Sequence, residues 1–307
     1  MKKLASIDIG TNSMRLLIAE HGEQLENRKK YIDITRMGHG VDSHGFINEE
    51  TMERNLEALH QFIDLARREK VDDIYVMGTS ALRDSKNRNE FVKKAKELTG
   101  VQVEVIGGKQ EALLGFCGAI AGLKTSGYVL IIDIGGGSTE FMLGSREEGI
   151  LFSESLNIGA LRMTEKFVKN DKVSMEERNQ IAEFVNRDMD SIIEFLEAYP
   201  ITQLIGIGGT ITTYSAIVQN MKTYDMNKIH NSTIKREQVS HLVDFMAEQT
   251  LEERKTVSGL QPKRADIIVA GGVILESILK KLHRDSITVS EYDNLEGLIY
   301  HNMKSGN

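Results

Sequence analysis

Cysteine occurs once in the 307 residues, proline twice, and tryptophan not at all. With Cys117 alone, no intrachain disulfide can form, and a reducing compartment is expected. Cys117 lies in LLGFCGAIAGL, an apolar helical stretch where a thiol serves as a small hydrophobe. Pro200 and Pro262 are too few for a proline-rich linker, and no low-complexity stretch is present, so two domains would be tightly joined. No apolar run reaches the length of a transmembrane helix. MKKLASIDIG has no apolar core before Asp8 and is not expected to act as a signal peptide. The expectation is a cytoplasmic protein without a membrane partner. Cations are also short: 38 Lys and Arg face 45 Asp and Glu, a net charge of -7. That argues against the broad basic face of a protein that binds a nucleic-acid polymer, and no such partner is expected. A phosphorylated ligand is not excluded, because backbone N–H groups and a few local cations hold phosphate inside an acidic protein.

What is present is a repeated phrase. LASIDIGTNSMRLLIAE, from Leu4 to Glu20, and YVLIIDIGGGSTEFMLG, from Tyr128 to Gly144, share one plan. Each has an apolar strand ending in Asp-Ile-Gly, a turn of small hydroxyl or glycine residues, and a second apolar strand. After the first phrase come a third strand within Gln24–Thr35, a helical stripe through Met52, Leu56, Leu59, Ile63 and Ala66, and the strand DIYVMGT. A helix stopped by Gly100, the strand VQVEVIG and a helix over about Lys109–Leu123 complete that half. The order then restarts. Strands at 128–134, 140–144 and 150–155 precede a helix with a Ser174/Glu177 capping box, then the strand QLIGIGG and a helix starting after Thr210. A second capping box (Thr250/Glu253), a long helix over about Pro262–Leu282, the strand SITVS and a closing helix at Tyr292–Met303 follow. The spacing implies a duplicated α/β domain. The expected domains are 1–124 and 125–307, with the closing helix, 291–305, returning to the first. Both hairpin turns could then face one cleft, a common place for a ligand.

Gly135, Gly136 and Gly137 allow close backbone approach, and Ser138 and Thr139 add hydroxyl donors. Gly206, Gly208, Gly209 and Thr210 sit between a strand and a helix, where the dipole's positive end favours an anion. A tight hairpin needs glycine in any case, so one such turn says little; three polar turns at the ends of apolar strands say more. Walker A spacing and a G-x-S-x-G elbow are both absent, which excludes a P-loop protein and that type of serine hydrolase. Asp8, Asp133 and Glu140 border the turns. A buried carboxylate there suits either a hard cation such as Mg²⁺ or local turn hydrogen bonds. Glu111 opens an apolar helix, where it either complements the dipole or accepts a proton from water. Arg83, in GTSALRDSKN, is either a loop residue or a phosphate ligand. His39 and His44 lie in a glycine-rich loop with no further ligand cluster, and His230 reads as a polar loop residue.

With those residues placed, the chain resembles the exopolyphosphatase/guanosine pentaphosphatase (Ppx/GppA) family of the actin–hexokinase–Hsp70 superfamily. The resemblance is carried by IDIGTNSMRLLIAE, TRMGHGVDSHG, GTSALRDSKN, VEVIGGKQEALLGFCGA, LIIDIGGGSTEF, IGIGGTITT and GLQPKRADIIVAGGVILESI, in that order up to about residue 280. It implies an α/β fold of two ribonuclease-H-like domains, mixed sheets flanked by helices, with the active site in a cleft between them. By the resemblance, the expected form is the short, two-domain one. It also implies Mg²⁺-dependent removal of the terminal phosphate of inorganic polyphosphate or of the γ-phosphate of pppGpp. By the same resemblance, Glu111 falls on the catalytic glutamate that activates water. Thr11, Asn12 and Ser13, Arg83, Gly136, Gly137, Ser138 and Thr139, and Gly208, Gly209 and Thr210 fall on phosphate-binding positions. Asp133, Glu140 and Asp8 are the expected metal ligands.

Two departures stand out. The family's Glu-Glu-Ala-Arg is Gln110, Glu111, Ala112 and Leu113, and its Gly-Leu-Arg-Glu-Gly is Asp293, Asn294, Leu295, Glu296 and Gly297. Leu295 is therefore expected to remove a cation near the cleft, and the loss of cations suggests shorter or less charged substrates. A catalytically weak nucleotide or polyphosphate sensor is the reading from a different class; a homodimer is left open.

Overall fold

The hairpin at the start of the chain sets the first sheet. Alternation puts Ala5, Ile7 and Ile9 on one face and Leu4, Ser6 and Asp8 on the other. β1 (Lys2–Ile9) pairs antiparallel with β2 (Met14–His21), and β2 with β3 (Leu25–Asp33). The computed structural model describes residues 1–22 and 24–305. It divides into two units, Met1–Ala121 with Tyr292–Asn307, and Gly122–Glu291.

In the first unit, a short helix α1 (Val41–His44) and α2 (Glu49–Arg68) lead into β4 (Asp73–Gly78), which runs parallel to β1. Then come α3 (Ser80–Asp84), α4 (Arg88–Thr99), β5 (Val103–Val105) and α5 (Gly108–Gly122). The strand order is β3-β2-β1-β4-β5. Gly100 ends α4 in the left-handed conformation, as glycine at that position allows. Ala5, Ile7, Ile9, Met14, Leu16 and Ile18 pack with Leu59, Ile63 and Phe91 of α2 and α4.

In the second unit, β6 (Tyr128–Ile134), β7 (Thr139–Ser145) and β8 (Gly149–Leu156) form an antiparallel meander. α6 (Ala160–Phe167), α7 (Met175–Asp188) and α8 (Asp190–Leu196) precede β9 (Ile201–Ile207), which is parallel to β6. The chain continues through α9 (Gly208–Val218), α10 (Met226–Ile229), β10 (Thr233–Lys235), α11 (Arg236–Ala247) and α12 (Leu251–Arg254). α13 (Ile268–Lys281) and β11 (Ser286–Val289) complete it, giving the order β10-β11-β9-β6-β7-β8. Each unit thus has the ribonuclease-H-like plan of a three-stranded meander extended by parallel strands, with β10 added antiparallel at the edge of the second sheet. Both capping boxes form, Ser174 with Glu177 and Thr250 with Glu253.

Three expectations need correction. The long helix from Pro262 is two pieces, a single 3₁₀ turn at Pro262–Arg264 and then α13. α9 begins at Gly208 rather than after Thr210, because Gly208 takes the left-handed turn (φ 86°) that lets the strand pass directly into the helix. The amphipathic α11 and short β10 stand in a stretch read without elements.

The last helix, α14 (Asn294–Ser305), lies on the second face of the first unit's sheet. Leu295 and Ile299 pack with Leu4, Leu17 and Leu25, while Leu298 meets Met77, Ile106 and Leu114. Its approach to α5 depends on two glycines. A Cβ at Gly118 would overlap the Asp293 carbonyl, and one at Gly297 would overlap the Leu114 carbonyl. Backbone meets backbone here, so no side chain can swing aside to make room. Gly297→Ala is therefore expected to destabilise the protein by about 1–3 kcal/mol, measured as a lower midpoint in urea. An unchanged midpoint would show that the helices can separate without loss.

Candidate active site

The two opening hairpins turn in the same way. Gly10 N–H donates to the Ser13 carbonyl at 3.0 Å, and Gly135 N–H to the Ser138 carbonyl at 3.0 Å. The registers also match: Ile9 faces Met14 and Asp8 faces Arg15, as Ile134 faces Thr139 and Asp133 faces Glu140. The chemistry across the two hairpins differs. Asp8 has a cation opposite it, whereas Asp133 has a second acid.

In the first unit, the turn is tied down by the segment after β3. Gly38 N–H donates to the Thr11 carbonyl (2.8 Å), and Arg36 N–H to the Asn12 carbonyl (2.9 Å). The Asn12 side chain is buried, and neither its Oδ1 nor its Nδ2 has a partner. Asp8 is held through Oδ2 by Arg15 Nε (3.2 Å) and Nη2 (2.5 Å), while its buried Oδ1 has no partner. Burial raises the Asp8 carboxyl above its ordinary value; Arg15 opposes this and Asp293 adds to it.

Glu111, in the first turn of α5, is buried and accepts a hydrogen bond from Arg83 Nη1 at 2.9 Å. The same nitrogen donates to the Ile106 carbonyl at 3.3 Å, and Arg83 Nε lies 3.7 Å from Asp84. Burial pushes the Glu111 carboxyl up. The Arg83 hydrogen bond and charge pull it back and Asp8 adds to the rise, leaving it at about 7. Arg83 and Glu111, read separately from the sequence, thus form one unit. Gln110 turns aside to Glu104 (3.1 Å).

In the second unit, the start of α6 takes up the carbonyls of the triple-glycine turn. Ala160 N–H donates to Gly135 O (2.9 Å), and Leu161 and Arg162 N–H to Gly136 O (2.9 and 3.0 Å). Arg162 Nε donates to Gly137 O at 2.6 Å, and Thr139 Oγ1 to Ile158 O at 2.5 Å. Gly159 is needed there, since a Cβ would overlap Gly136. The N–H groups of Gly136, Gly137 and Ser138 take part in none of these bonds. Gly208 lies against the Asp133 carboxylate and Gly209 against the Arg264 guanidinium, so Asp133, the third turn and a cation are neighbours. Thr210 is buried. Glu140 accepts from Ser155 Oγ at 2.7 Å.

Among the described residues, no group of three or more His, Cys, Asp and Glu is placed to hold a metal. Mg²⁺ commonly uses one or two carboxylates together with ligand phosphates. Each unit taken by itself offers that lesser demand: Asp8 with its unpartnered Oδ1 in the first, and the facing pair Asp133 and Glu140 in the second.

Four residues escaped the sequence reading. Arg15 was available from the hairpin register; Asp293, Arg162 and Arg264 depend on tertiary contacts. Arg15 Nη1 donates to Asp293 Oδ2 at 2.6 Å, and Lys30 lies 3.6 Å from the same oxygen. Burial would raise Asp293, but Arg15 and Lys30 outweigh it and hold the carboxyl at about 2. Leu295 is not at a cation's place in a cleft. It is fully buried in the apolar contact of α14 with β1 and β2, and its carbonyl accepts from Ser6 Oγ at 2.8 Å.

Two ribonuclease-H-like units, each opening on an Asp-Ile-Gly hairpin with a polar turn, define the class. The model of the Ppx/GppA phosphatase family matches residues 17–306, and the chain belongs to that family. A bifunctional 3-dehydroquinate synthase/phosphatase of Fusobacterium nucleatum is 37% identical over 314 residues, covering 98% of this chain and 46% of that protein. The chain therefore spans about half the length of that relative. Exopolyphosphatase 2 of Mycobacterium tuberculosis is 32% identical, with 97% of this chain and 98% of that protein covered. A guanosine-5'-triphosphate,3'-diphosphate pyrophosphatase of Vibrio vulnificus is 28% identical, covering 97% of this chain and 59% of that one. The crystal structure of the Aquifex aeolicus family member matches with a TM-score of 0.82 at 31% identity, over 100% of this chain and 99% of that one.

The raised Glu111 carboxyl has a consequence for stability. The folded protein keeps this proton up to about pH 7, whereas an ordinary glutamate loses it near 4.5. The group's stabilising contribution is thus complete below pH 4.5 and is lost as pH rises through 7. Melting temperatures of the parent should fall relative to Glu111→Gln across that interval. Parallel curves would mean that Glu111 titrates normally.

Proposed function

We propose that the protein is an exopolyphosphatase that releases the terminal phosphate of inorganic polyphosphate by attack of water activated by Glu111. The observation that carries the reading is Glu111 itself, a buried carboxyl held near neutrality beside Asp8 and oriented by Arg83. A base whose proton affinity lies near working pH is half ionised there and transfers protons efficiently. Support also comes from the names of the relatives, an exopolyphosphatase and a pppGpp-type pyrophosphatase.

The chain's residues divide the work. Glu111 orients and takes the proton of water, and Arg83 fixes the Glu111 oxygen it touches. The N–H groups of Gly136, Gly137 and Ser138 and the start of α9 at Gly208, Gly209 and Thr210 bind phosphate oxygens. Thr11, Asn12 and Ser13 do so in the first unit, where Asn12 supplies buried groups that no protein atom satisfies. Asp133, Glu140 and Asp8 would hold Mg²⁺, which when bound neutralises developing phosphoryl charge. The reaction then rests mainly on positioning and charge. Among the described residues no helix is long and apolar enough to cross a membrane. The cytoplasm is the proposed location.

The second reading is pppGpp as the substrate, favoured by the Vibrio vulnificus relative. Both substrates present a terminal phosphoanhydride to the same groups. Phosphate release with Mg²⁺ from long polyphosphate, tripolyphosphate and pppGpp, run side by side, separates them. Glu111→Gln should lower turnover by about three orders of magnitude or more with KM little changed, and should remove an acid limb of the rate profile near pH 7. Retained activity in that variant would remove Glu111 as the base. Binding without any release would instead identify a sensor.

A further inference from the structure

Arg15 has a constraint that ion pairing alone does not require. Its Nε and Nη2 both go to the single oxygen Asp8 Oδ2, although a guanidinium beside a carboxylate readily engages both oxygens. Its third nitrogen, Nη1, goes to Asp293. Asp293 is in turn fixed at the start of α14. Its N–H donates to Glu296 Oε2 (2.9 Å), and its Oδ1 accepts from Leu295 N–H (2.9 Å). Glu296, fully buried, pairs with Lys30 (3.0 Å) and Arg28 (3.2 Å), and Arg28 stacks over Tyr292 at 3.7 Å. The guanidinium is therefore held from two sides, by Asp8 Oδ2 and by Asp293 at the start of α14. The remaining oxygen, Asp8 Oδ1, is buried and unpartnered, with the unpartnered Asn12 amide in the same turn. Buried polar atoms left without partners are costly unless a ligand completes them.

We propose that Asp293, acting through Arg15, is a positioning residue that keeps Asp8 Oδ1 open for the cation or phosphate-bound water of the first turn. The inference rests on the phosphohydrolase reading above. In this role Arg15 and Asp293 act through Asp8; they decide which carboxylate oxygen is on offer. When Asp293 loses its charge, Arg15 is released to take both oxygens of Asp8, and the open position closes.

The test compares the parent, Asp293→Asn and Asp293→Ser, the last keeping an acceptor for Leu295 N–H should the amide fold poorly. Mn²⁺ binding in the presence of imidodiphosphate is followed by electron paramagnetic resonance, together with kcat, KM and melting temperature. Both variants should bind Mn²⁺ about tenfold or more weakly and lose kcat at saturating polyphosphate. Arg15→Lys, a donor suited to one oxygen, should stay closer to the parent than either. Variants that melt lower yet bind Mn²⁺ as tightly as the parent would reduce the ladder to a structural role and overturn the proposal. A parent that releases no phosphate would sink the phosphohydrolase reading instead, while the Mn²⁺ comparison would still decide the role of Asp293.

Discussion

Asp8 is buried at the inner end of a strand, where a carboxylate without a counter-charge would take up a proton or draw the strand end into water. The cross-strand pairing of Asp8 with Arg15 answers that demand, and much of the first unit follows from it. Arg15 must itself be neutralised, which brings Asp293 and with it the start of α14. The charges then continue through Lys30, Glu296 and Arg28 along the outer strand, three acids against three bases. Ion pairs of this kind stabilise less than their number suggests, because each charge has given up its water. Their effect here is geometric. They fix the helix against the sheet and fix one Asp8 oxygen, Oδ2, on Arg15.

The second hairpin solves the same problem by other means. Asp133 faces Glu140, so the two strands bring like charges together where the first hairpin brings opposite ones. Ser155 meets Glu140 and the left-handed Gly208 lies beside Asp133. The duplicated frame has therefore kept its backbone while its electrostatics diverged. One turn is laced by the loop after β3, the other by the first residues of α6. What the two share is the back-bonded glycine at the entry to the turn.

Local chemistry was legible in the chain. The paired hairpins, the capping boxes at Ser174 and Thr250 and the stop at Gly100 all follow from patterns within a few residues. Helix boundaries set by tertiary needs were not. Pro262–Leu282 carries a long apolar run that reads as one helix, but the chain makes a separate 3₁₀ turn at Pro262–Arg264 before α13 begins, and composition does not record that break. Among the site residues, Glu111 and Arg83 were visible singly, yet their contact joins positions 28 apart in sequence. Leu295 shows the opposite failure. Comparing motifs assigns it a missing charge, whereas its place on α14 at the spacing of Leu298 and Ile299 makes it a core residue. A helical wheel of the twelve residues of α14 would have shown that apolar face.

The return of α14 to the first unit also bears on synthesis. The strands and helices of residues 1–121 emerge from the ribosome well before residues 292–305, with the whole of the second unit between them. During that interval Leu4, Leu17 and Leu25 lack their apolar cover, and Asp8 and Arg15 lack Asp293. The second unit, drawn from one continuous stretch, can finish its core first. The first polypeptide made is thus the last to be completed, and its exposed sheet face is the surface most in need of a chaperone while translation proceeds.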